Sequence, residues 1–101
     1  MAFSFLSQEL AIDLGTANTI IYQNGSIVLD EPSIVALDVT SGKCIAIGSQ
    51  AKLMHGRNNP NIKTVRPLKD GVIADFNAAE MMIRGFIRQV SGKRSQIFSP
   101  N

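Results

Sequence analysis

The stretch Ala11-Ile12-Asp13-Leu14-Gly15-Thr16-Ala17-Asn18-Thr19 gathers residue types that together can hold a metal-bound phosphate. A β-turn at its centre aims successive backbone N–H groups at one point, and a glycine there lets the backbone approach an anion with no Cβ in the way. Gly15 to Asn18 supply that backbone, and Thr16, Asn18 and Thr19 add short side-chain donors. Asp13, at the end of the preceding strand, cannot accept a hydrogen bond from an unprotonated phosphate. It can hold Mg2+ through water, and Mg2+ usually keeps several waters beside phosphate oxygens. The same residues also suit a structural hairpin in which Asp13 and Asn18 satisfy the turn, and spacing alone leaves both readings standing.

Other chemistries fail on residue type. Gly42-Lys43 and Gly92-Lys93 lack both the upstream glycine and the following Ser or Thr of a P-loop, and no G-x-G-x-x-G is present. His55 and Cys44 stand too isolated in sequence to start a metal cluster. Half of an aspartic-protease dyad would need Asp followed by Ser or Thr and then Gly, and Leu14 occupies the hydroxyl position. Cys44 is expected to be a buried, inert thiol because it sits in the apolar run Cys44-Ile45-Ala46-Ile47. A small interaction module that pairs through an exposed edge strand, without nucleotide, is the reading that competes with phosphate binding.

Two β-rich runs, Leu10-Ala11-Ile12 and Thr19-Ile20-Ile21-Tyr22, flank the loop and must position it. Asn24-Gly25 predicts a tight hairpin turn into a third strand, Ser26 to Leu29, which Pro32 ends. Ile34 to Leu37 and Cys44 to Ile47 form a second predicted pair, joined by Thr40-Ser41-Gly42. Ser49 is expected to cap a short helix to Met54, terminated by Gly56 and Asn58 to Asn61, with His55 in a capping or surface role. Ile62 to Arg66 and Gly71 to Ala74 read as short strands flanking Pro67. Asn77 and Glu80 fit a capping box that opens the clearest helix. Ala79, Met82, Ile83, Phe86, Ile87 and Val90 form its apolar stripe, with Arg84 and Arg88 on the other side. Ser91 to Asn101 shows no strong period.

The chain has 101 residues, room for one domain at most. Its net charge of +2 conceals an asymmetry: all bases lie beyond residue 41, while five of the eight acids lie before it. The bases are spaced singly apart from Lys93-Arg94, and no aromatic residue interleaves them to stack on nucleobases, so no nucleic-acid partner is expected. Apolar runs such as Ile34 to Leu37 fall far short of the roughly 20 residues that span a bilayer. The first residues, Met1 to Gln8, carry no base and too short an apolar stretch for a secretory signal. A cytoplasmic location is expected.

At Ile12 to Thr19 the sequence resembles the first phosphate-binding loop of the actin, hexokinase and heat-shock-chaperone superfamily. More narrowly, it is similar to the amino-terminal part of the MreB family of bacterial actins. The likeness rests also on Glu31-Pro32-Ser33-Ile34-Val35-Ala36 and on Arg66-Pro67-Leu68-Lys69-Asp70-Gly71-Val72-Ile73-Ala74-Asp75-Phe76, and it extends over nearly all of the chain. The resemblance implies an α/β, actin-like (RNase H-like) fold with an incomplete mixed sheet and one main helix. Residues 1–30 and 66–101 would belong to subdomain IA and residues 31–65 to the inserted small subdomain IB. It further implies that Gly15, Thr16, Ala17, Asn18 and Thr19 face the phosphates of ATP and that Asp13 sits near Mg2+.

By the same resemblance the parent protein assembles with itself into filaments, through subdomain IB among other surfaces. It would also act with the cell-wall synthesis machinery to organise rod shape. Membrane contact at the inner face of the cell membrane would run through Phe3, Phe5 and Leu6, although no base lies beside them to supply the electrostatic half of an interfacial anchor. A frayed terminus or edge packing is the alternative for these three. Family members are more than twice this length. The catalytic acid and second phosphate loop are therefore expected beyond Asn101, with residues 1–101 alone not competent for hydrolysis.

Overall fold

The computed structural model describes residues 10–57 and 59–98, so Phe3, Phe5 and Leu6 lie outside the described residues. Strand β1 (Leu10–Leu14) alternates as a half-buried strand should, with Leu10, Ile12 and Leu14 inward and Asp13 exposed. It pairs antiparallel with β2 (Asn18–Gln23), which pairs antiparallel with β3 (Ser26–Pro32). The β2–β3 turn is the expected one: Asn24 and Gly25 both take positive φ, at 51° and 85°. Within this sheet, of order β1-β2-β3, β1 has a neighbour on one side only among the described residues.

A second antiparallel sheet, of order β5-β4-β6, contains β4 (Val35–Asp38), β5 (Cys44–Ile47) and β6 (Ile62–Val65). Between β5 and β6 lies helix α1 (Gly48–Met54). The run Ile34 to Ala36 is apolar on consecutive residues because both of its faces are covered. Val35 joins the main core, whereas Ile34 and Ala36 pack with Ala51 in a smaller cluster that Ala46, Met54 and Ile62 complete.

Three sequence expectations shift. Ser49 does not cap α1; Ile47 precedes the helix in extended conformation without a side-chain cap. Glu31, from β3, accepts the Ser49 N–H at Oε1 (2.7 Å), so a carboxylate distant in sequence satisfies an orphan donor at the positive end of the helix. After Pro67, two-residue strands β7 (Leu68–Lys69) and β8 (Val72–Ile73) close a hairpin on Asp70-Gly71, both with positive φ, in place of one strand over Gly71 to Ala74. Helix α2 (Phe76–Phe98) starts one residue before the expected cap Asn77 and runs on beyond Val90. Its first turn is held by Asp75, whose Oδ1 accepts the Ala78 N–H (3.0 Å), and Glu80 pairs with Arg84 instead of closing a capping box.

The apolar stripe of α2 is as expected from Met82 onward, with Ile83 and Ile87 partly buried beside it, but Ala78 and not Ala79 begins it in the main core. Ala78, Met82, Phe86 and Val90 repeat every four residues and pack on Leu10, Ile12, Leu14, Ile21, Leu29 and Leu68 in the main core. No described helix is long and apolar enough to cross a membrane.

Candidate phosphate-binding turn

Three residues, Gly15, Thr16 and Ala17, connect β1 to β2. The turn is closed by a hydrogen bond from the Gly15 N–H to the Asn18 carbonyl (3.0 Å). A Cβ on Gly15 would stand 2.5 Å from that same oxygen. Glycine is therefore required by closure of the hairpin itself, quite apart from any approach of an anion.

Behind the turn sits Ser33, fully buried like Thr19. Its N–H donates to the Ala17 carbonyl (2.9 Å) and its hydroxyl to the Gly15 carbonyl (2.7 Å). The Ser33 and Thr19 hydroxyl oxygens lie 2.8 Å apart. A hydroxyl has one hydrogen, so with Ser33 Oγ donating to Gly15, Thr19 is the donor in that pair. The result is a directed chain, Thr19 to Ser33 to Gly15, that fixes the carbonyls of the turn from below.

In front, Thr16 Oγ1 accepts the Gly71 N–H (2.8 Å), which ties the turn to the β7–β8 hairpin 55 residues away and leaves the Thr16 hydroxyl proton free to donate. The Asn18 side-chain amide donates to Asp30 Oδ1 (3.0 Å). None of these bonds uses the N–H of Thr16 or Ala17. Asp13 is exposed on the face of β1 opposite the core, in one cross-strand row with Ile20 and Asp30. Of the residues singled out by sequence, Thr16, Ala17 and Asn18 are exposed and Gly15 is half-buried, while Thr19 belongs to the inward support. No group of three or more potential metal ligands occurs among the described residues.

Ser33, Gly71 and Asp30 are parts of this site that sequence reasoning missed. They meet the turn across 12 to 55 residues of chain, and no local pattern announces such contacts. Ser33→Ala is expected to leave the Gly15 carbonyl and the Thr19 hydroxyl unpaired in a dry place, at about 1–3 kcal/mol. A thermal melt followed by circular dichroism should show Tm lowered by roughly 5–15 °C.

Cys44 departs from expectation: it is exposed. Partial desolvation still pushes its thiol above the ordinary value, with a smaller opposing contribution from the Ala46 backbone. His55 has the expected surface place, with Nδ1 2.6 Å from Thr64 Oγ1.

Comparison with known proteins places this turn in context. The sequence profile described as "MreB/Mbl protein" matches residues 7–101. The cell shape-determining protein Mbl of Bacillus subtilis is 52% identical over 88 residues, covering 86% of this chain and 26% of the relative. The cell shape-determining protein MreB of Escherichia coli K12 is 54% identical over 89 residues, covering 83% of the chain and 26% of the relative. Among solved structures, MreB5 of Spiroplasma citri bound to ADP superposes with a TM-score of 0.72 at 37% identity, over 81% of this chain and 25% of that one. The same protein bound to AMPPNP gives a TM-score of 0.67 at 42% identity, over 72% and 22%. The chain thus spans about a quarter of the length of the relatives it matches. With the profile match over nearly its whole length and the actin-like α/β fold shared with these structures, the chain belongs to the MreB/Mbl family.

Proposed function

We propose that this chain supplies the first phosphate-binding turn of a cell shape-determining actin homologue that binds ATP with Mg2+ and assembles into filaments. The observation that carries the reading is the turn itself. Its carbonyls are fixed from behind by Ser33, and its exposed residues keep the Thr16 and Ala17 N–H groups and the Thr16 hydroxyl proton available for an anion. That donor set fits phosphate oxygens, and exposed Asp13 beside it fits a hydrated Mg2+. Thr19 acts from below, through Ser33.

We assign this chain binding and positioning, not hydrolysis. Phosphoryl transfer depends on an oriented water and closed walls, and the turn offers one open face. Residues 1–30 and 66–101 act as subdomain IA in this reading and residues 31–65 as the inserted subdomain IB, which offers filament contacts. The location proposed is cytoplasmic, at the inner membrane surface through Phe3, Phe5 and Leu6, beside the cell-wall synthesis machinery.

Magnesium-ATP titrated into the 15N-labelled chain tests the assignment, because amide shifts report even weak binding. The Thr16, Ala17 and Asn18 amides should move first, and Asp13 should respond only with Mg2+ present. Asp13→Ala should weaken the magnesium-dependent part by about tenfold, roughly 1.4 kcal/mol. Shifts confined to the lysines and arginines beyond residue 41, or no shift at all, would overturn the reading.

A further inference from the structure

Apart from the turn, a groove of about 300 Å3 lies between β5 and α2. All four residues of β5, Cys44 to Ile47, line one side, and Met81, Arg84 and Arg88 of α2 line the other. Among the described residues, strand β5 is an edge of its sheet. Its neighbour β4 claims it through the bond from Asp38 N–H to the Lys43 carbonyl and, at the other end, through the Gly48 N–H donating to the Ile34 carbonyl. Bonded pairs alternate along an antiparallel ladder, so Ile47, between the Ala46 and Gly48 positions, turns its N–H and carbonyl away from β4. An unpaired strand edge with a groove beside it is a template for an added strand.

Charge specifies the occupant. Among the described residues the only charged ones lining the groove are Arg84 and Arg88, one helical turn apart, a rise of about 6 Å. Side chains on one face of a strand recur every two residues, at about 6.6 Å. The two spacings match. Carboxylates two residues apart on an added strand would therefore meet the two guanidinium groups in turn, in a geometry that suits paired N–H···O bonds. Glu80 already pairs with Arg84 (3.0 Å), but both side chains are largely exposed, at 61% and 69%, and such a pair yields readily to a second carboxylate.

We infer that this groove binds an extended acidic peptide segment of a partner protein, which adds a strand to β5 and sets two carboxylates, two residues apart, on Arg84 and Arg88. The inference is independent of the nucleotide reading, since the groove shares no residue with the turn. A fluorescent peptide Thr-Val-Glu-Val-Glu-Val-Thr, followed by anisotropy against the whole chain, should bind at least about tenfold more tightly than the peptide with Lys in place of Glu. It should exceed to the same degree the peptide with Pro at its centre, which lacks a ladder donor. The double variant Arg84→Glu/Arg88→Glu changes exposed residues, loses the pair with Glu80 and should still melt cooperatively within a few degrees of the parent while reversing the charge preference. Cys44 is the single cysteine, so its reaction with N-ethylmaleimide gives a one-site readout, and saturating Glu peptide should slow it several-fold. The proposal is overturned by no binding at millimolar peptide, by a charge preference unchanged in the double variant, by equal binding of the Pro peptide or by unaltered Cys44 reactivity. Protection of Cys44 that grows with chain concentration in the absence of peptide assigns the groove to a second copy and likewise overturns it.

Discussion

Gly15→Ala should destabilise the chain by about 1–3 kcal/mol, lowering Tm by roughly 5–15 °C. The added methyl would have to occupy space 2.5 Å from the Asn18 carbonyl oxygen, and backbone cannot swing aside as the end of a long side chain can. Relief requires opening the turn, which breaks the Gly15 to Asn18 hydrogen bond and moves the Gly15 carbonyl off the Ser33 hydroxyl. Gly25→Ala is the informative control. Nothing lies within 4 Å of a Cβ there, so only its left-handed φ of 85° is at stake, at about 1 kcal/mol. A Gly15 variant no less stable than the Gly25 variant would refute the turn geometry. Since Gly15 is tied to the fold, loss of anion binding in a Gly15 variant would report collapse of the turn, which is why Asp13, exposed and without a structural partner among the bonds of the turn, is the cleaner probe of phosphate chemistry.

The loop was legible in the sequence because its parts are contiguous: glycine, two threonines and an asparagine between two β-rich runs. Its supports were not, because they are contacts and not patterns. Thr19 shows the difference well. By type and neighbourhood it belongs with Thr16, yet it falls on the inward face of β2, where the strand's alternation carries it beneath the turn to Ser33. Applying the two-residue period outward from Ile21 would have placed it there. The cap of α2 falls on Asp75 and not on Asn77 for a related reason. Asn77 with Glu80 satisfies the letter of a capping box, but Asp75 stands where its carboxylate reaches the Ala78 N–H, and the helix begins from it.

The hairpin on Asp70-Gly71 carries one of the strongest two-residue turn signals, but the strands it joins are only two residues long, too short to show an alternating pattern. The exposed thiol was not readable. Apolar neighbours suggested burial for Cys44, but β5 is an edge strand, and edge status depends on which strands pair across the chain. The same blindness hid the role of Glu31. Its carboxylate caps α1 from another strand, 18 residues away, so the helix that seemed to need Ser49 draws its first-turn acceptor from β3. That contact joins the first sheet, which carries the turn, to the second sheet and its helix.

Phe86→Ala should have the larger effect on stability, about 3–5 kcal/mol. The ring is fully buried in the main core, on the stripe that packs α2 against β1, β2 and β3. Its edge also lies 3.0 Å from where a Cβ on Gly48 would be, so the ring fills the junction between α2 and the start of α1. Alanine would leave a cavity with walls from several elements. A chain of this size holds about 5–15 kcal/mol in total, so the variant should populate unfolded molecules at 37 °C and show a sharply lower urea midpoint with an unchanged slope. Phe76→Ala supplies the comparison within the same helix. Phe76 is 75% exposed, and its truncation should alter stability by no more than about 0.5 kcal/mol. Equal losses from the two phenylalanines would contradict the facing of α2, and with it the packing that holds β1 and its turn in place.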